Sequence, residues 1–510
     1  FESYQDFCVQ YVTREPGGER PAETLFKLYD IQLSTKAILL NSTAKMRQQI
    51  LATQDAKTIE IYTQWLATKE TIGRYYTLTA EDRAGHQDIG LLQAEANELE
   101  KELSRMSEIF RSQFEQREYT ALDVKNGLAA AEAAIEIIRI RKKFKADSVY
   151  YVGLVLTKDN PGPHLVIWPE GMKLENRHFV YHRNTTKYGL NDSVSYRRFW
   201  MPLGAALQGI DHLYVSSDGI FNKINLATLR DPATKRWVLD DYTISLVSNT
   251  KEILERNSAD DALTSEVHLY GYVDFNLTMD EHHVATHQNT ITRKFGFDDI
   301  PLLPGTEVEI NQIQELLKAS PLNVSLHMRG EADEESLKKI VNPKILHVAT
   351  HGFFMDDMDF FDSDDDDAGK FFSNPLVRSG LLLAGAGVKE DNRDATIVED
   401  GILTAYEAMN LTLDHTDLVV MSACETGLGE IRNGEGVYGL QRAFLVAGAD
   451  AVLMSLWQVD DTATQELMVR FYSNWLAGNS KLDAFRKAQI SLKEKYPSPY
   501  YWGAFIMIGY

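Results

Sequence analysis

The sequence predicts an α/β fold, a mainly parallel sheet flanked by helices, preceded by an all-α region. Three observations carry this. From about residue 119 onward, short apolar and β-branched runs alternate with stretches of helical periodicity, the pattern of strands joined by crossover helices. Residues 1–118 hold few turn signals and many helix formers. A chain of 510 residues, 44% apolar and 25% charged, has the makeup of an ordinary globular protein with a large core and a prior of about three domains.

The elements follow in order. In LLQAEANELEKELSRMSEIFRSQF (91–114), Leu92, Leu99, Leu103, Met106, Ile109 and Phe110 fall at helical spacing and predict an amphipathic helix. Residues 22–50 and 55–76 read alike, as packed helices at the tail of a helix-pair array, although no repeat of about 34 residues is visible. The segments AAIEIIRI (133–140), SVYYVGLVLT (148–157) and HLVIWPEG (164–171), the last two separated by a Pro-Gly-Pro turn, predict strands. Further strands are expected within 211–219, 242–248 and 266–275, and a helix over 307–320. From about 265 the alternation is most regular: strands KILHVAT (344–350) and GLLLAGAG (380–387), a helix over 401–409, the strand DLVVMSA (417–423), a helix over 436–449 and the strand AVLMSLWQV (451–459). Helices over 461–478 and 481–496 lead to a last strand over 502–510. Residues 276–299 and the acidic loop 355–373 read as irregular insertions.

Formal charge is 52 − 74 = −22, so the average surface repels phosphate backbones and no direct nucleic-acid partner is expected. The densest basic cluster, RIRKKFK (139–145), is too short to overturn that balance. Two distant cysteines, Cys8 and Cys424, exclude a disulfide framework and point to a reducing, cytoplasmic compartment. No apolar run approaches the roughly 18 residues of a membrane helix. The first residue is Phe1 rather than Met, which points to a trimmed N-terminus.

Two apolar runs end on reactive side chains, ILHVATHGFF (345–354) at His351 and LVVMSACETG (418–427) at Cys424. In open α/β sheets, sites form beyond the carboxyl ends of the strands. If the two strands are neighbours, thiol and imidazole face one crevice, as nucleophilic catalysis requires. Gly352, lacking Cβ, lets its N–H approach a ligand, and with the N–H of Cys424 it makes a candidate oxyanion hole. Taken singly, a buried Cys is most often a small core residue and a His a satisfied structural one; their joint placement, each with glycine close behind, favours catalysis. No metal site or other cofactor is expected of one Cys and one His without CxxC or HxxxH spacing.

HVATHGFF, SACETGLGE, SLWQVDD and the terminal AQISLKEKYPSPYYWGAFIMIGY resemble the CHAT peptidase family, caspase-like domains usually attached to tetratricopeptide helices. The similarity runs through most of residues 120–510, including DVKNGLAAAEAAIEIIRI, YVSSDGIFNKINLATL and GILTAYEAMNL. The resemblance implies a caspase-like sheet with helices on both faces, a helical region at 1–118, a silent N-terminal half-domain at 119–262 and a catalytic subdomain at 263–510. It implies His351 as the imidazole of the dyad, Cys424 as the nucleophile and Gly352 as an oxyanion donor. A cysteine endopeptidase follows, held off until a partner protein signals through the N-terminal helices, cutting a dedicated protein in a bacterial defence or signalling module. The opposing expectation is a non-catalytic caspase-like scaffold; a third is another acyl-transferring cysteine enzyme with the same dyad.

SLWQVDD occupies the strand after the nucleophile, where such enzymes line the first substrate pockets. Trp457 offers an aromatic wall, and Asp460 or Asp461 favours a cationic residue before the scissile bond. The same aspartates stand where a helix wants its N-cap, a reading that competes for both. The run at 355–370 packs eight aspartates behind His351. It reads first as a solvated loop, then as a device steering basic substrate segments or gating the cleft, and last as a Ca²⁺ site without EF-hand spacing. The glycines of 427–439 lack a phosphate-cradle pattern, and Gly434 and Gly436 shape the loop beside the nucleophile instead.

Overall fold

The computed structural model describes residues 2–14, 19–36, parts of 57–72, 89–111, 119–142, 148–254, 264–276, 300–355, 375–387, 399–423, 426–427, 429–432 and 436–509. Helices α1 (Glu2–Arg14) and α2 (Glu19–Thr35) open the chain, and α3 spans Ile89–Arg111. A first group of strands follows: β1 (Glu132–Arg141), β2 (Val149–Thr157), β3 (His164–Trp168), β4 (His212–Ser216) and β5 (Thr243–Val247). The second group is β6 (Glu266–Val273), β7 (Asn323–Arg329), β8 (Ile345–Val348), β12 (Leu418–Met421), β15 (Ala451–Ser455) and β16 (Phe505–Gly509). Between them lie the short strands β9 (His351–Phe354), β10 (Ser379–Leu382), β11 (Ile402–Thr404), β13 (Glu430–Arg432) and β14 (Gly436–Tyr438). The helices that matter for the site are α4 (Pro304–Leu317), α5 (Leu440–Val446), α6 (Asp461–Leu476) and α7 (Lys481–Lys495).

The two large groups form one eleven-stranded sheet in the order β3-β2-β1-β4-β5-β16-β15-β12-β8-β6-β7. Pairing is parallel except for β2 against β1 and β3, and β16 against β15. The C-terminal strand closes the seam: β16 runs between β15 and β5, with Ile508 opposite Leu246. Segments 119–262 and 263–510 therefore share one continuous sheet.

Both faces of that sheet are covered, which is why its strands read as near-continuous apolar runs. In β1, Ala133, Ile135 and Ile137 pack on one side, against Phe199, Leu203 and Phe221. The alternate residues Ala134, Ile138 and Ile140 pack on the other, against Cys8, Leu28, Tyr29 and Leu33 of α1 and α2. The first two helices are thus part of the sheet's cover, not a detached helix array. Glu136 shares their face and is fully buried; Lys36, just past α2, donates to its Oε2 at 3.0 Å and to the carbonyls of Ile137 and Ser216, both at 2.9 Å. Thr250 satisfies Oε1 through its N–H at 2.9 Å and its hydroxyl at 2.7 Å. A buried ion pair persists only with its remaining hydrogen-bonding capacity met in this way.

Two predicted helices are shorter than expected. Residues 402–404 are β11, antiparallel to β10 with Leu403 opposite Leu381, and only Ala405–Ala408 is helical, capped by Thr404. Residues 436–438 are β14, hairpin partner of β13, and α5 begins only after Gly439. In both places strand pairing across a short distance outweighs local helical preference.

Candidate functional site

β12 lies between β8 and β15, parallel to both. Val348 and Met421, the last residues of β8 and β12, are directly opposite, and Ser422 N–H donates to the Val348 carbonyl at 2.9 Å. The chain leaves these neighbouring strands at the same level. His351 then opens β9, which pairs with β10, and Gly352 stands opposite Leu381. Both residues are half-buried.

The His351 ring is oriented on two sides. Its Nε2 lies 3.0 Å from the Pro301 carbonyl oxygen, and the ring leans on Phe275 with centroids 5.1 Å apart. A carbonyl only accepts, so Nε2 carries the hydrogen and, in the neutral ring, Nδ1 keeps its lone pair. A base held by a third group is the arrangement a nucleophile requires. No motif in the sequence announces Pro301, because it acts through its backbone.

Cys424 lies outside the described residues, as do Gly434 and the acidic run from Asp356 to Lys370. The residues flanking Cys424 are held by one residue, Ser455, on the neighbouring strand. Ser455 Oγ donates to the Ala423 carbonyl at 2.5 Å, and Ser455 N–H donates to Thr426 Oγ1 at 3.2 Å. The Ser455 carbonyl accepts from Gly427 N–H at 2.7 Å. A Cβ on Gly427 would stand 2.9 Å from that same carbonyl oxygen, so only glycine fits. Ala423 is therefore tied to β15 by the Ser455 hydroxyl, and Thr426 and Gly427 by the Ser455 backbone.

A cavity of about 490 Å³ opens beside these residues, lined by His351, Ser422, Ala423, Asp461 and Glu309 among others. The paired aspartates separate here. Asp460 is the N-cap of α6, its Oδ1 accepting from Ala463 N–H at 2.9 Å. Asp461 is the first helical residue and lines the cavity, so the cap belongs to Asp460 and not to Asp461. Partial burial and the adjacent Asp460 push the Asp461 carboxyl up, with Glu309 adding to the rise and His351 opposing it. Trp457 is half-buried in the apolar core, its indole N–H donating to the Tyr500 carbonyl at 3.1 Å. Its neighbours Gln458 and Val459, rather than Trp457, line the cavity.

Glu309 was not apparent among the charged residues of EVEINQIQELLK. It lies on the buried face of α4 with Thr306, Ile310, Ile313 and Leu317. A glutamate in an apolar stripe is the signal that would have marked it. Its Oε1 meets His347 Nε2 at 2.9 Å, and His347 Nδ1 meets the Tyr472 hydroxyl at 3.2 Å.

One further group of carboxylates has the spacing of a metal site: Glu334, Glu399 and Glu407 bring oxygens within 4.8 Å of one another. Lys338 Nζ already stands among them, at 2.6, 2.7 and 3.1 Å respectively. The resident cation there is an ammonium.

Two strand ends, an oriented imidazole and a cavity between them are the frame in which the sequence motifs sit. Residues 195–510 match the family described as CHAT domain. The chain belongs to the CHAT-domain family. Similarity to curated proteins falls on tetratricopeptide repeat protein 28. The Homo sapiens protein is 27% identical over 215 residues, 41% of this chain and 8% of that one. The Mus musculus protein is 29% identical over 217 residues, again 41% and 8%. The CHAT chain thus spans a small fraction of the length of these relatives. Among solved structures, the Saccharomyces cerevisiae separase–securin complex covers 76% of this chain and 30% of its own, with 10% identity and a TM-score of 0.40. The Arg-specific cysteine proteinase gingipain R covers 66% and 75%, with 8% identity and a TM-score of 0.36. Among the described residues, no helix of this CHAT chain is long and apolar enough to cross a membrane.

Proposed function

We propose that this chain is a cysteine endopeptidase with a His351–Cys424 dyad. The observation that carries the reading is the oriented imidazole: His351, its Nε2 fixed by Pro301, faces a cavity also lined by Ser422 and Ala423, the residues leading into Cys424. In the proposed reaction Nδ1 of His351 takes the thiol proton as Cys424 Sγ attacks the scissile carbonyl. The N–H groups of Gly352 and Cys424 hold the oxyanion. The imidazolium then protonates the leaving amine, and water hydrolyses the thioester by the same base.

Asp461 supports a cationic side chain before the scissile bond, since Asp460 is spent as a cap. The substrate is a dedicated partner protein, and an activating partner acts through the N-terminal helices, as in a defence or signalling module. Packing of α1 and α2 on the sheet supports that route, because a pull on the helices is felt in β1.

The test is incubation of the full chain with candidate partner proteins and identification of new termini by mass spectrometry. Cys424→Ala and His351→Ala should each abolish the new termini while leaving the unfolding transition in place. New termini persisting in both variants overturn the reading and leave a scaffold role.

A further inference from the structure

The mechanism uses His351, Cys424 and Asp461, yet the most buried ionisable group on the cavity wall is Glu309, 2% exposed. Its Oε1 is committed to His347. Its Oε2 accepts no hydrogen bond from any described residue, and it is absent from the sealed, unpaired atoms of the interior, so it is open to the cavity. A carboxylate cannot donate, so His347 Nε2 carries the hydrogen; in the neutral ring Nδ1 then accepts from Tyr472, whose buried phenol is held far above its ordinary range. The chain Tyr472–His347–Glu309 fixes one carboxylate oxygen and leaves the other for a ligand.

Two other polar residues border the same space without offering it a free atom. Ser422 lines the cavity, but its hydroxyl oxygen is sealed off from it. The nearby Thr306 hydroxyl is already used: it donates to the Leu303 carbonyl at 2.7 Å and accepts from Tyr272 N–H at 2.8 Å. The open acceptors on the wall are thus Glu309 Oε2 and the Asp461 carboxylate. A buried carboxylate with an open lone pair calls for a cationic donor. A guanidinium carries five N–H donors in one plane and can bridge two carboxylates, whereas an ammonium is a compact point charge.

We propose that Glu309 is a specificity-determining residue: with Asp461 it forms a site for a guanidinium side chain beside the dyad. This deepens the endopeptidase reading and rests on it for the identity of the ligand as a substrate side chain. The assignment separates Glu309 from a merely structural buried acid, which would have both oxygens paired and would not border a cavity.

The experiment is calorimetric titration of the full chain with agmatine, and with n-butylurea as a neutral probe of similar shape. Agmatine should bind and n-butylurea should not. Glu309→Gln should weaken agmatine at least tenfold with an unchanged unfolding midpoint, since the amide oxygen still accepts from His347. Equal affinity of Glu309→Gln and the parent, or equal binding of the two probes, overturns the assignment. Peptide cleavage is read in parallel with Arg and norleucine before the scissile bond. The expected result is preference for Arg, reduced at least tenfold in Glu309→Gln. Cleavage without that preference overturns the site and leaves the endopeptidase standing. Agmatine binding that depends on Glu309, with no peptide cut, supports the guanidinium site and leaves the endopeptidase to be decided by the partner-protein incubation.

Discussion

Val348 and Met421 stand opposite one another on neighbouring parallel strands. His351 and Cys424 follow them at the same three-residue remove in sequence. Parallel pairing forces both exits onto one edge of the sheet, where the chain must leave in loops. That two segments about seventy residues apart leave one end of the sheet is thus a property of strand order, and the proposed dyad depends on it.

The Ser455 side chain holds the flank that precedes Cys424. Ser455→Ala removes the donor to the Ala423 carbonyl and is expected to cost about 1 kcal/mol of stability. Its larger effect should be on catalysis, because that hydroxyl fixes Ala423, the residue before Cys424, while the Ser455 backbone bonds to Thr426 and Gly427 remain. A fall in kcat of about tenfold or more with KM little changed is expected, checked by peptide kinetics alongside urea denaturation. Unaltered kcat in a destabilised variant would show that the anchor serves folding alone.

The two adjacent aspartates should behave differently. Asp460→Ala removes the α6 cap and should cost about 1 kcal/mol without changing preference for cationic peptides. Asp461→Asn should leave the cap in place and raise KM for such peptides by about tenfold, a charge-assisted hydrogen bond being worth about 1.5–3 kcal/mol. Melting curves and KM values for the two variants decide the matter; exchanged phenotypes would place the cavity on Asp460.

Stability should depend on pH through the carboxyls around Lys338. Burial, then repulsion from Glu407, pushes Asp400 up to about 7, against the pull of the Ile402 N–H and of Lys338. The unfolded chain releases this proton near pH 4, while the folded protein keeps it until about 7. Between those values the folded state binds more protons, so the contribution of Asp400 to stability is greatest at the acid end and is lost as pH rises through 7. Asp400→Asn is expected to flatten the dependence of Tm on pH from 5 to 8 and to raise Tm at pH 8 relative to the parent. A variant less stable than the parent at pH 8 would contradict this.

The sequence by itself determined the strands, the two reactive residues at their ends and the class of fold. An apolar run between turn signals has few alternatives, and a His or Cys closing such a run stands out from its surroundings. It also contained the aspartates of VDD, but not their division of labour: either one suits a cap, and only the backbone at Asp460 decides which side chain bends back to Ala463. Only the tertiary structure decided that β16 returns between β15 and β5, that α1 and α2 cover β1, and that Pro301, Glu309 and Ser455 lie at the candidate site. These three act through a backbone carbonyl, a position on a helix face and a hydroxyl on the neighbouring strand. Such relations arise from contacts between segments far apart in the chain, and no local spacing encodes them.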